Sequence, residues 1–269
     1  MRKPLTSLAI CSASILASCL AIAPQVHAAA NDPLLAQQWG IFAIGADRVW
    51  NTTTGQGVIV AVVDSGSGPH PDLAENLLSG RSFFGAVESQ DGADIDASGH
   101  GSHVAGIIAS VANNGIGGSG VAPNAKILPI KVLDQAGQGD ARDVAAGVRY
   151  AADNGAKVIN LSLGGATESS SLTQAITYAN DKGALVVAAA GNGGEADKPK
   201  WPASLDLTLA VTAVDQANNA TSFDQRGDYI DIAAPGFSVV STAKGDYASL
   251  SGTSMAAGFV AGPIDYWNS

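Results

Sequence analysis

Residues 58–63, Val-Ile-Val-Ala-Val-Val, form an unbroken apolar run, and mainly apolar runs of the same kind recur at 127–132, 158–163, 185–190 and 209–214. A run that stays apolar, without a polar residue at every second position, suits a strand of a parallel sheet covered on both faces. Between the runs lie stretches of helical character at 101–112, 140–154 and 169–182. In the second, Val144, Val148 and Ala151 recur at i, i+4 and i+7, with Asp140 placed to cap the start and Gly155 to stop the end. Strands alternating with helices predict right-handed βαβ crossovers. The fold class is therefore α/β: a doubly wound, mainly parallel sheet with helices on both faces. With no internal repeat and no long linker, residues 31–269 read as one domain, opened by a polar lead-in over 31–56. In such sheets ligands gather beyond the carboxyl ends of the strands.

The first thirty residues break this pattern. Met1-Arg2-Lys3 is a positive start, the stretch from Leu5 to Ala23 carries no charge, Pro24 interrupts it, and Val26-His27-Ala28 offers a small-x-small cleavage site. That layout predicts a secretory signal peptide over residues 1–28, and hence an extracellular or periplasmic protein. Two alternatives remain at this point: an uncleaved membrane anchor, since the run is just long enough to span, and a lipoprotein attached at Cys19 of Leu16-Ala17-Ser18-Cys19. Both cysteines, Cys11 and Cys19, fall in the leader, so cleavage near Ala28 leaves no thiol nucleophile, thiolate metal site or disulfide.

Composition narrows the function further. Of the 269 residues, 46% are hydrophobic and 14% charged, which fits a globular chain and excludes a disordered or fibrous one. Arg2 and Lys3 lie in the leader and none of the acidic residues does. The remainder thus carries 12 basic against 24 acidic residues, a formal charge of −12. That argues against nucleic acid or an anionic membrane as a partner.

Chemistry-bearing residues stand where strands give way to Gly, Asp, Asn or Ser. Asp64 ends the first run in Val-Val-Asp64-Ser-Gly. His100 and His103 sit in Gly-His100-Gly-Ser-His103-Val-Ala-Gly, opening a helix, and Ser254 lies in Gly-Thr-Ser254-Met-Ala, a Gly-rich turn entering another. Singly, each has an ordinary explanation as a cap or turn residue. Two histidines three apart also suggest metal ligands, but no third His or Glu shares that helix face. Together, the order Asp, His, Ser is that of a nucleophilic hydroxyl, the imidazole that takes its proton and the carboxylate that fixes the imidazole tautomer. Ala-Ala-Gly-Asn192 adds an amide donor for an oxyanion.

These four blocks, in this order, closely resemble the subtilisin-like serine proteases, and their thermitase-like branch most. The likeness runs from Asn31 to about Gly262. It implies that Asp64 orients the base, His100 acts as general base and then acid, Ser254 is the nucleophile and Asn192 the oxyanion donor. It implies a monomer acting on a protein or peptide substrate, which binds as an added β-strand, with Gly137, Gln138 and Gly139 on one edge and Ser162, Leu163, Gly164 and Gly165 on the other. Trp201-Pro202 matches a cis proline near the substrate pocket. The resemblance also implies a structural Ca²⁺ held by Asp32, Asp72 and Asn114 with the carbonyls of Ala112, Ile116 and Gly118, an all-oxygen shell suited to that ion.

Departures from the family pattern temper the expectation of activity. Ser102 stands where Thr is usual, and Gly258-Phe259 follows the nucleophile where Pro-His is usual; Gly there predicts a softer helix, by about 1 kcal/mol relative to Ala. The chain stops at Ser269, Pro263 interrupts the nucleophile helix, and the last helices of the fold and a folding-assisting propeptide are expected to be missing, leaving one sheet face partly bare. A catalytically impaired subtilase that binds a peptide or partner is therefore the alternative function. A flavodoxin-like cofactor site finds no phosphate loop in the required context. Gly193, which brings no side chain to the cleft, suggests a broadly apolar substrate pocket.

Overall fold

The computed structural model describes residues 31–85, 87–89, 93 and 95–263. The leader with Cys11 and Cys19, and residues 264–269, lie outside them. The described chain runs α1 (Trp39–Ala43), α2 (Ala46–Val49), β1 (Ile59–Asp64), β2 (Arg81–Phe84), β3 (Val87–Ser89), α3 (His100–Ala109), β4 (Lys126–Lys131), α4 (Ala141–Asp153), β5 (Val158–Leu161), α5 (Ser170–Asp181), β6 (Leu185–Ala189), β7 (Leu209–Val214), β8 (Ile232–Pro235), β9 (Val239–Ala243), β10 (Asp246–Leu250) and α6 (Thr253–Ala261). Eight strands form one sheet in the order β3-β2-β4-β1-β5-β6-β7-β8, parallel except for the β2–β3 pair, and β9–β10 make a separate antiparallel ribbon.

The apolar runs become strands because both faces of the sheet are covered. Val60 and Val62 of β1 point into one core with Val104, Ile107 and Ile108 of α3 and Met255 and Phe259 of α6. Ala61 and Val63, one residue out of phase, point into the other with Val144 and Val148 of α4 and Leu172 and Ile176 of α5. Side chains of a strand alternate between faces, so only an unbroken apolar run can fill two cores at once. The fold is the α/β, mainly parallel sheet that the pattern predicts. Asp140 does cap α4, its carboxylate accepting the Arg142 N–H at 2.8 Å.

Three local expectations change. The helix expected over 101–112 ends at Ala109 because Ser110 turns extended and the Val111 N–H bonds instead to the Asp72 carbonyl at 2.9 Å. The run at 158–163 leaves the sheet after Leu161, which frees Ser162 and Leu163 to line a cleft. The lead-in over 31–56 holds two short helices, α1 and α2, whose contacts are tertiary and left no period in the sequence.

Gly258 and Phe259 have packing reasons that sequence alone did not disclose. A Cβ on Gly258 would lie 3.2 Å from Ile107 Cγ2, so the glycine lets α6 press against α3, while the Phe259 ring covers the bare Cα of Gly40 in α1. On the same side, Ile44, Leu185, Leu209, Ile232 and Val260 border an open apolar groove of about 690 Å³.

Candidate active site

Asp64, Ser162 and Asn192 all follow or end neighbouring parallel strands, at the carboxyl edge of the sheet. Asp64 is wholly buried, and its Oδ1 accepts hydrogen bonds from the Ser65 N–H at 2.7 Å and from His100 Nδ1 at 2.8 Å. The bond to an acceptor-only carboxylate fixes the proton on Nδ1, so Nε2 of neutral His100 is the bare, basic nitrogen. The His100 side chain is 32% exposed, enough to face the cleft. The Asp64 charge raises the His100 pKa above its ordinary 6.5; burial opposes this, and the nearby Asp96 adds to the rise. Protonation therefore sets in at a higher pH than a free imidazole would give.

The start of α3 is held by a polar network. A helix leaves its first four N–H groups without helical partners. Here His100 N–H donates to Ser98 Oγ (3.1 Å), Gly101 N–H to Ser65 Oγ (3.1 Å), Ser102 N–H to Asp96 Oδ2 (2.7 Å) and His103 N–H to the Gly99 carbonyl (3.1 Å). Asp96, also buried, further accepts from the Ser65 and Ser98 hydroxyls and the Gly99 N–H. Gly101 is required for close approach: a Cβ there would collide with the Gly66 carbonyl. Neither Asp96 nor Ser65 was singled out in the sequence, since their value lies in a contact across some thirty residues.

His103 points away from the cleft. Its Nε2 lies 3.1 Å from both the Val239 and Ala248 carbonyls, fastening α3 to the β9–β10 ribbon, and burial pushes its pKa down to about 4. A ring nitrogen facing two carbonyls must be the donor, so His103 is the neutral Nε2–H tautomer.

Ser254 opens α6 on the same rim. Its hydroxyl donates to the Ser162 carbonyl at 3.2 Å, and its own carbonyl accepts from Ser162 Oγ at 2.9 Å. No hydrogen bond joins Ser254 to His100; Ser162, to which Ser254 bonds, lines a cleft of about 440 Å³ together with Asp64 and His100. Asn192 is oriented by Thr253, the residue before the nucleophile. Its Oδ1 accepts the Thr253 N–H at 2.9 Å and hydroxyl at 3.0 Å. This fixes the amide so that Nδ2, which has no hydrogen-bond partner among the described residues, is the end left to donate. The Ser254 N–H is likewise unpartnered among them.

Gly137, Gln138, Gly139, Ser162, Leu163, Gly164 and Gly165 all line this cleft. Leu163 and Gly164 make no backbone hydrogen bonds among the described residues, as a strand-accepting edge requires. Gly165 differs: its N–H and C=O are paired with Trp201 at 2.8 and 2.9 Å, so it closes the edge instead of extending it. The Trp201–Pro202 peptide is cis, as is Gly68–Pro69. Beside Gly193, from which a broadly apolar pocket was expected, stands the carboxylate of Asp197.

A second polar cluster surrounds the loop at 112–118. Asp32 accepts the N–H groups of Asn113 (2.9 Å) and Asn114 (3.2 Å) and the Ser119 hydroxyl (2.7 Å). Asp72 accepts Asn114 Nδ2 at 2.7 Å and the Gly118 N–H at 3.3 Å. Burial raises the Asp72 pKa, with the neighbouring Asp32 charge adding to the rise. The carbonyls of Ala112, Ile116 and Gly118 accept no hydrogen bond among the described residues, whereas that of Gly117 takes the Leu34 N–H at 2.7 Å. Two buried carboxylates and three unpaired carbonyls form a donor set that fits a hard divalent cation. Gln38 joins them unannounced by the sequence, its buried Oε1 accepting the Ser119 N–H at 2.8 Å.

Residues 55–264 match the subtilase family. The chain is 46% identical over 235 residues to thermitase of Thermoactinomyces vulgaris, covering 86% of this chain and 82% of that one. It is 48% identical over 227 residues to subtilisin Savinase of Lederbergia lenta, covering 83% and 81%. A solved protease from Pseudoalteromonas arctica PAMC 21717 superposes with a TM-score of 0.80 at 34% identity, covering 87% of this chain and 85% of that one. The chain belongs to the subtilase family and is a serine endopeptidase of the subtilisin type.

Proposed function

We propose that Asp64, His100, Ser254 and Asn192 carry out peptide-bond hydrolysis through an acyl-enzyme. The observation that carries this reading is the bond of His100 Nδ1 to the buried Asp64, which leaves Nε2 free at the cleft. A turn of the Ser254 side chain from the Ser162 carbonyl toward Nε2 brings nucleophile and base together. Oγ then attacks the scissile carbonyl carbon while its proton passes to Nε2. The oxyanion accepts hydrogen bonds from Asn192 Nδ2 and the Ser254 N–H. Collapse of the intermediate breaks the C–N bond, and the amine leaves with the proton from Nε2. Water, deprotonated by the same nitrogen, then releases the acyl group and restores Ser254. Substrate pairs as a strand with the Leu163–Gly164 edge, opposite Gly137–Gly139.

We further assign residues 31–269 to one peptidase domain behind a cleaved leader at 1–28, secreted and acting as a monomer. Among the described residues no helix is long and apolar enough to cross a membrane. Asp32, Asp72 and Asn114, with the carbonyls of Ala112, Ile116 and Gly118, would hold Ca²⁺. The ion would neutralise two buried carboxylates and brace the loop, and it takes no part in the reaction.

A fluorophosphonate probe tests the reading. Labelling of the wild type and none of Ser254→Ala is expected, and folded wild-type protein that stays unlabelled would instead support a peptide-binding role. Activity needs neutral His100, so kcat/KM is expected to fall as pH drops through a value above 6.5. Activity that stays level down to pH 4 contradicts the mechanism.

A further inference from the structure

The crevice beside Ser254 has a third wall that the mechanism above does not use. Its first two walls are the backbone at Gly164, beyond β5, and at Gly191, beyond β6. A Cβ on Gly164 would lie 3.3 Å from Lys200 Cβ, and one on Gly191 would lie 2.8 Å from Lys200 Cγ. The methylene stem of Lys200 therefore spans the gap between the two strand ends, and its neighbour Trp201 seals that wall through the paired bonds to Gly165. The Lys200 ammonium is 2.8 Å from Asp197 Oδ2, with side chains 26% and 32% exposed, and the same carboxylate rests against Gly193.

We propose that Lys200 and Asp197 select the substrate residue on the acyl side of the scissile bond, favouring a side chain that ends in a carboxylate or amide oxygen, glutamate foremost. This rests on the serine-protease reading above. With the attacked carbon at Ser254 Oγ and its oxygen toward Asn192, the side chain next to that carbon enters the gap between Gly164 and Gly191 and meets Lys200. An ammonium has three donors, and one is directed at Asp197. The carboxylate is the more committed partner, because Oδ2 takes the ammonium and Oδ1 accepts the Lys198 N–H at 2.8 Å. The unused capacity of the pair is thus mainly that of a donor. An incoming carboxylate gains charge-assisted hydrogen bonds, a leucine gains only the stem, and a lysine brings a second cation to the first. The glycines at 164, 191 and 193 let Lys200 and Asp197 lie directly against the backbone there, with Gln225 Oε1 also resting over Gly191.

The test is hydrolysis of peptide p-nitroanilides that differ only in the last residue, Glu, Gln, Leu or Lys, at low salt and pH 8. The wild type is expected to cleave Glu at least as well as Leu, and Lys least. Lys200→Met is expected to lower kcat/KM for Glu about tenfold, the worth of one partly exposed charge-assisted bond, with Leu changed less than twofold. Asp197→Asn, which removes the competing carboxylate, is expected to raise the Glu-to-Leu ratio a few-fold. A Glu-to-Leu ratio identical in wild type and both variants, with Leu well cleaved, overturns the assignment and leaves the protease reading standing. Failure of every substrate together with an unlabelled Ser254 overturns both.

Discussion

Asp64 and Asp72 are both wholly buried and close in sequence, yet their surroundings differ in kind. Asp64 faces a titratable ring and the N-terminus of α3, and its Oδ2 is buried without a partner among the described residues. Asp72 faces an amide, a backbone N–H, the Tyr247 hydroxyl, the His70 ring and a second carboxylate. One environment needs a negative charge and supplies a proton carrier beside it. The other concentrates negative charge beside a loop whose unpaired carbonyls make a donor set that fits a cation. Burial alone marks neither for catalysis; the partners decide.

The sharpest way to break the comparison is to neutralise each in turn. Asp64→Asn is expected to lower kcat on the order of 10⁴-fold, because an amide no longer holds the right imidazole tautomer. Steady-state kinetics would read this, with Tm little moved, and retention of a tenth of the activity would refute the role. Asp72→Asn is expected to do the reverse. Ca²⁺ at a hundredfold excess over its Kd stabilises by about 2.7 kcal/mol, and for a chain of this size that is about 5–10 °C in Tm. The wild type should lose that margin in EDTA and recover it with Ca²⁺, while Asp72→Asn should show no response to either. An EDTA-insensitive wild-type melt would remove the ion from the account. The smallest effect concerns Asp96. Its charge helps raise the His100 pKa, so Asp96→Asn should carry the acid limb of kcat/KM to lower pH by a fraction of a unit, with activity persisting further into acid. An unmoved limb would reduce Asp96 to a helix cap.

The parallel sheet and the helices α4 and α5 were legible because double burial leaves a continuous apolar run and single burial leaves a 3.6-residue period. The motif residues were legible because backbone turns tie them to glycines at fixed offsets. The supporting residues were not. Ser65 and Asp96 meet at 2.9 Å across the fold, Gln38 reaches Ser119, and Lys200 crosses to Gly164; such contacts leave no local period. Gly258 likewise read as a source of softness, yet the partner that explains it, Ile107, belongs to another helix. The link between Ser254 and His100 is the place where sequence order ran ahead of the geometry, since the hydroxyl here bonds to Ser162.

The lock between Asn192 and Thr253 has a consequence for how such an enzyme would fail. Thr253 holds the amide oxygen with both its N–H and its hydroxyl, and the hydroxyl also takes the Gly191 N–H at 3.1 Å. The group that would receive the developing charge and the helix that presents the attacking oxygen are thus clamped at one joint. Loosening that joint by heat would spoil both together, so inactivation should proceed as a single event, with no long-lived population that still binds the oxyanion but has lost its attacking group.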